Sequence, residues 1–152
     1  MRRKQKFKRV VEPDRKYNNT TVSKLIKIVM LHGKLSIAEK IVYDALAEVE
    51  EATKADPIET FELAIRNVSP VLEIKSKRIG GANYQVPREV KGDRKLALSF
   101  RWIITASKSK KGSSMAHRLA DEILLASKNE GAAIKKRNDT PEPAEKPEHG
   151  ST

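Results

Sequence analysis

The chain contains no cysteine, which excludes a disulfide framework and any cysteine-based zinc site and fits a reducing compartment. Aromatic residues are scarce, at 5%. No apolar run approaches about 18 residues, and the basic N-terminus is not followed by an apolar stretch, so the sequence predicts neither a membrane span nor a secretory signal. The expectation is a soluble, cytoplasmic protein with no membrane partner. His32, His117 and His149 fall in different elements, with no carboxylate or second histidine at ligand spacing, so no metal is expected. Gly80 and Gly81 lack the strand-to-helix context of a phosphate-cradling loop. Asp44, Glu48 and Glu51 stand at helical spacing, which reads as a solvated face and not as a carboxylate pair for acid-base chemistry. With no nucleophile and base pair either, the sequence offers no catalytic residue and no cofactor, and an enzyme is not expected.

What the chain does have is positive charge. Its 152 residues carry 31 Lys and Arg against 20 Asp and Glu, a formal net charge of +11, beside 38% hydrophobic content. That hydrophobic share suffices for one core in one domain. The charge balance points to a polyanionic partner, with nucleic acid favoured because no strongly amphipathic basic helix stands alone.

Residues 1–16 hold eight basic residues against two acidic ones without helical periodicity, a basic N-terminal arm. Thr20 or Thr21 is expected to cap a first helix with Val22, Leu25, Ile26 and Val29 on one face, closed by Gly33. Ser36 and Glu39 form a capping-box pattern for a second, striped by Ala38, Ile41, Val42, Ala45, Leu46 and Val49. Between Asp44 and Glu62 seven acids oppose only Lys54, a polar outer face. Asp56-Pro57 opens a third helix with Ile58, Phe61, Ile65 and Val68 inward, and Ser69-Pro70 stops it.

Leu72 to Val90 then alternates apolar and polar residues, the period of two of a strand, on both sides of Gly80-Gly81-Ala82-Asn83. Leu72 and Ile74 share one face with Ser76. Tyr84, Val86 and Val90 are expected to continue the apolar set, so that Leu72, Ile74, Val86 and Val90 support the fold. Gly80, Gly81 and Asn83 tolerate positive φ and suit a short turn, and Pro87 fits an edge strand. A two-stranded ribbon is marginal alone. Seven basic against three acidic residues between positions 73 and 95 make it a candidate for reaching into a nucleic-acid groove, rather than a merely solvated hairpin.

Asp93 is expected to cap a fourth helix with Leu96, Phe100 and Ile103 inward and Arg101, Lys108, Lys110 and Lys111 outward. Trp102, the sole tryptophan, reads as core packing and not base stacking. Gly112-Ser113-Ser114 recaps the chain into a fifth helix carrying Met115, Leu119, Ala120, Ile123 and Leu124, ended by Gly131. Residues 132–137 finish on Lys135-Lys136-Arg137. Residues 138–152 are acidic, contain Pro141, Pro143 and Pro147, and read as a disordered tail.

The run from Ile74 to Val90 closely resembles the hairpin of the bacterial-type small-subunit ribosomal protein seven family. The turn from Met30 to Lys34, Arg101-Trp102-Ile103, the run from Met115 to Ala120 and the basic end from Gly131 to Arg137 agree with that family in order and spacing. The likeness spans roughly Arg9 to Arg137. It implies binding to the 3′ major domain of small-subunit ribosomal RNA, nucleation of head assembly, contact with neighbouring small-subunit proteins, and a position near the exit-site transfer RNA and messenger RNA. Two departures stand out. Leu35 replaces a usual second basic residue after Gly33-Lys34, and Pro141 and Pro143 interrupt what is usually a longer basic helix.

The expected architecture is therefore mainly α: a single helical domain over 17–137, of five to six helices, with the hairpin arm 72–90 protruding between the third and fourth. The expected RNA contacts are Arg2, Arg3, Lys4, Lys6, Lys8 and Arg9 in the arm, and Lys24, Lys27 and Lys34 around the first helix. Lys75, Lys77, Arg78 and Arg88 serve in the hairpin, whose tip is Gly80, Gly81, Ala82, Asn83 and Tyr84. Arg94, Lys95, Arg101, Lys108, Lys110 and Lys111 follow in and after the fourth helix, and Lys135, Lys136 and Arg137 at the basic end. The alternative is a helical DNA-binding or nucleoid-type protein using a basic β-ribbon.

Overall fold

Helices form wherever apolar residues recur every three or four positions. A computed structural model describes Lys4 and residues 9–140. Among these lie α1 (Thr20–Val29), α2 (Leu35–Thr53), α3 (Pro57–Val68), strands β1 (Leu72–Ile79) and β2 (Ala82–Glu89), then α4 (Gly92–Ser109), α5 (Met115–Ser127) and α6 (Ala132–Asp139). The fold is mainly α with one antiparallel hairpin between α3 and α4, as the periodicities predict. Among the described residues, no helix is long and apolar enough to cross a membrane.

The predicted stripes meet in one core: Val22, Leu25, Val42, Leu46, Val49, Phe61, Val68, Phe100, Ile103, Leu119 and Ile123 are all essentially inaccessible. Each such side chain contributes about 1.5–3 kcal/mol on burial. Phe61 of α3 stacks on Phe100 of α4 with ring planes 6° apart. Helix α5 touches α2, α3, α4 and α6 and is the hub of the packing. Trp102 packs half-buried against this core, as its apolar neighbours suggest.

The helix ends are less regular than their sequence signals. Asp56 caps α3 by accepting from the Ile58 N–H at 3.0 Å, with Pro57 at the first helical position, as expected. At α1 the cap is Asn19 instead of a threonine, its Oδ1 accepting from the Thr21 and Val22 N–H groups. Lys34 and Lys91, without side-chain caps, precede α2 and α4, which places Ser36 and Asp93 inside the first turns. Gly131 does not end α5; with φ 96° it is the cap residue from which α6 starts. Helix α6 runs to Asp139, two residues past the expected end of the domain at Arg137, and residues 141–152 lie outside those described.

The end of the basic arm is also drawn into the fold. Asp14 is only 7% exposed. Its carboxylate accepts from the N–H groups of Lys16, Tyr17 and Asn19 and from the Tyr43 hydroxyl. Burial pushes this carboxyl up, but the combined donors from Tyr17, Asn19, Tyr43 and Lys16 outweigh it and hold the group below its usual value of 3.8. Lys16 Nζ sits 5.5 Å from the centroids of both Tyr17 and Tyr43, a paired cation–π contact.

Candidate nucleic-acid interface

The hairpin pairs Leu72 with Glu89 through to Ile79 with Ala82. That register leaves a two-residue connection, Gly80-Gly81, with φ of 58° and 85°, the double positive φ of a tight hairpin turn. Asn83 is therefore not in the turn; it lies in β2 opposite Arg78. Directly opposed residues share a face. Leu72 and Ile74 thus face Glu89 and Pro87, whereas Val86 and Tyr84 face Lys75 and Lys77. The expectation that Ile74 and Val86 support the fold is not met: Ile74 is 37% exposed, and the register sets Val86, 41% exposed, and Tyr84, 54% exposed, on the opposite face from Leu72. Val90 does support the fold, being buried at the root with its N–H donating to the Val71 carbonyl.

One face of the ribbon consequently carries Lys75, Lys77 and Arg88 interleaved with Tyr84, Val86 and Ile79. At its root, Lys75, Arg88, Lys91 and Arg94 line a groove with Glu73 and Glu89. Arg94 donates to Glu73 at 2.6 Å, and this hydrogen bond lowers the Glu73 carboxyl and raises the Arg94 guanidinium from their ordinary values. Lys91, absent from the expected contacts, belongs to this groove. Its place just before a helix that follows a basic strand was the available signal.

The first turns of α4 also border a second groove. Here Val11, Ile28, Leu96 and Phe100 give apolar lining, and Arg9, Lys24 and Lys27 bring positive charge beside Asp93. The N-terminal arm, α1 and α4 thus converge, although they are far apart in sequence. Lys4, Arg9, Lys27, Lys34, Arg101, Lys108 and Lys111 are exposed, and so are Lys75, Lys77, Arg78 and Arg88, while Lys24 and Lys95 are partly buried. Arg2, Arg3, Lys6 and Lys8 lie outside the described residues.

Besides Arg94, two further expected contacts are otherwise engaged. Lys110 does not line the outside of α4. It follows the end of that helix, half-buried, with Nζ 3.3 Å from Glu122 Oε2 and 3.7 Å from Asp121 Oδ2. Arg137 donates to the Asn67 carbonyl at the end of α3 and to Asn138 Oδ1. Lys135 and Lys136, between them, are exposed. Among the described residues no three His, Asp or Glu side chains gather as metal ligands. The arrangement is a set of exposed positive charges carried by a hairpin and by helices packed on one core, suited to positioning a phosphate backbone.

The family model described as ribosomal protein S7p/S5e matches residues 1–146. Small ribosomal subunit protein uS7 of Arthrospira platensis is 49% identical over 144 residues, covering 95% of this chain and 92% of that protein. The uS7 of Clostridium novyi is 53% identical over 138 residues, 91% of this chain and 88% of its own length. That of Thermotoga maritima is 49% identical over 145 residues, 95% and 94% respectively.

Proposed function

This chain belongs to the ribosomal protein S7p/S5e family, and from that premise we propose that it binds the 3′ major domain of small-subunit ribosomal RNA and nucleates assembly of the subunit head. It is a structural protein of the small ribosomal subunit, working in translation and not as an enzyme. The observation that carries the RNA reading is the junction at the start of α4. There the hairpin's Lys75 and Arg88, the helix's Lys91 and Arg94, and the groove of Arg9, Lys24 and Lys27 lie to either side of one helical turn. Phosphates following that turn meet positive charge from four separate segments: the hairpin, the start of α4, the N-terminal arm and α1. Such contacts fix register and orientation, and A-form RNA is recognised largely through this kind of shape and backbone contact.

Lys34, Arg101, Lys108, Lys111, Lys135 and Lys136 extend the contact, with the arm residues Arg2, Arg3, Lys4, Lys6 and Lys8. The hairpin tip, Gly80 to Tyr84, lies near the exit-site transfer RNA and messenger RNA in this reading, with neighbouring small-subunit proteins as further partners. The test is competition at physiological salt between a folded fragment of the 3′ major domain and duplex DNA of equal length. Preference for the ribosomal fragment supports the proposal. Equal or better binding to the duplex overturns it in favour of a nucleoid-type role for the ribbon.

A further inference from the structure

Helix α6 has little to hold it in place by itself. It is eight residues long and buries only Ala133 and Ile134; isolated helices so short do not persist in water. Its start is fixed from below by Glu122 of α5, a carboxylate with 0% exposure. Oε1 accepts the Ala133 N–H at 3.0 Å, and Oε2 lies 3.3 Å from Lys110 Nζ. A buried carboxylate is costly unless paired; here Oε1 takes the Ala133 hydrogen bond, while Oε2, which accepts no hydrogen bond, has the Lys110 ammonium as its counter-charge. The Ala133 N–H belongs to the first turn of α6, where an anion is favoured. Lys110 is held in turn, because Arg118 Nη1 donates to its carbonyl at 2.7 Å. Gly131 completes the fit. With φ +96°, a Cβ there would stand 3.1 Å from Glu122 Oε1 and 3.1 Å from Leu125 Cβ.

We propose that Glu122 is a positioning residue for RNA binding: it clamps the first turn of α6 to α5, so that Lys135 and Lys136 are presented to the RNA while Lys110 is withdrawn as the counter-charge. This rests on the reading of α6 as an RNA-facing helix. Glu122 touches no RNA itself. Its action is through the two lysines, and that is what separates it from an ordinary core residue.

Hydrogen exchange tests the clamp without RNA. In Glu122→Ala, exchange across residues 132–139 should accelerate about tenfold or more while α2 and α3 stay protected. Glu122→Gln should keep most of that protection, since its amide oxygen still accepts from Ala133. Binding to the ribosomal RNA fragment then tests the consequence by a double-mutant cycle. Lys135→Ala with Lys136→Ala should weaken binding, and adding Glu122→Ala to that pair should weaken it no further. Should Glu122→Ala fail to fold, Gly131→Ala takes its place in both measurements, since its methyl group forces the same turn away from Glu122. Unchanged exchange in α6, or a fully additive loss in the cycle, overturns the proposal. If exchange changes as described but the lysine pair binds like wild type, the RNA role falls because α6 does not face RNA, and the clamp is not the step that failed.

Discussion

Lys77 and Tyr84 stand directly opposite each other across the hairpin. This single pairing puts an ammonium and a half-exposed ring on the same face of the ribbon, with Lys75 opposite Val86 one step closer to the root. Phosphate attraction and base stacking are therefore available side by side, which neither strand's own sequence provides.

Replacing Lys75, Lys77, Arg78 and Arg88 together with alanine should leave a folded domain. All four are exposed, and each surface charge carries no more than about 0.5 kcal/mol of stability. Affinity for the ribosomal RNA fragment should fall at least tenfold, about 1.4 kcal/mol. Wild-type affinity in a variant with an unchanged melting curve would transfer the binding surface to the arm, α1 and α4.

Tyr84→Ser separates stacking from charge. Thermal stability should hold, because the ring is more than half exposed. If bases stack on it, affinity should drop by about 1–3 kcal/mol with the same slope of log affinity against log salt as wild type. A changed slope with unchanged stacking energy would assign the ring no contact of its own.

That slope is itself a prediction. With about six to ten phosphates neutralised, raising salt from roughly 50 to 200 mM should weaken binding by about 10³ to 10⁵ fold. Arg94→Ala should flatten the slope less than Lys91→Ala, because Arg94 already has Glu73 as its counter-ion. Equal flattening would mean that RNA displaces Glu73.

Asp14→Ala should destabilise the fold by about 1–3 kcal/mol at neutral pH, by orphaning the backbone N–H groups it accepts. The folded carboxyl lies below its usual value. Its contribution is therefore fully present above the unfolded value of about 3.9 and is lost as pH falls through the lower folded value. Denaturant unfolding of both proteins should give a constant difference from about pH 7 to 5 that narrows below about pH 4. A difference that widens in acid would contradict the donor set around Asp14.

Gly81→Val should loosen the hairpin alone. Nothing lies within 4 Å of an added Cβ, so the cost is conformational, about 1–2 kcal/mol for a residue forced into left-handed backbone. Exchange at Lys77 and Tyr84, a hydrogen-bonded pair of the ladder, should accelerate while the midpoint of global unfolding barely moves. A large fall in that midpoint would mean that the ribbon bears on the core.

Local periodicity made the helices and both strands legible, because burial of one face imposes its own spacing on the residues that line it. Asp56-Pro57 was readable for the same reason: cap and first turn are adjacent in sequence. The face that Val86 occupies depends on whether the turn holds an odd or an even number of residues. Any even turn, the observed Gly80-Gly81 or the four residues from Gly80 to Asn83, sets Val86 on the face of Lys75 and Lys77, a parity that alternation along each strand taken alone does not show. Lys110 and Arg137 looked like their exposed neighbours. What withdrew them is Glu122, twelve residues on, and the Asn67 carbonyl of another helix. Likewise Asp14 read as a minor acid within a basic arm, because its partners are backbone N–H groups that no side-chain pattern announces.

The central place of α5 has a consequence for the growing chain during synthesis. Val42, Phe61 and Phe100 all belong to segments made before it, and α5 packs against α2, α3 and α4. Until residue 127 has been polymerised, those apolar faces lack the element that seals them. At about 5–20 residues per second, the stretch from the end of α4 to the end of α5 takes roughly one to four seconds. For that interval the nascent protein is a basic chain with an unsealed core, at its most vulnerable to aggregation and proteolysis.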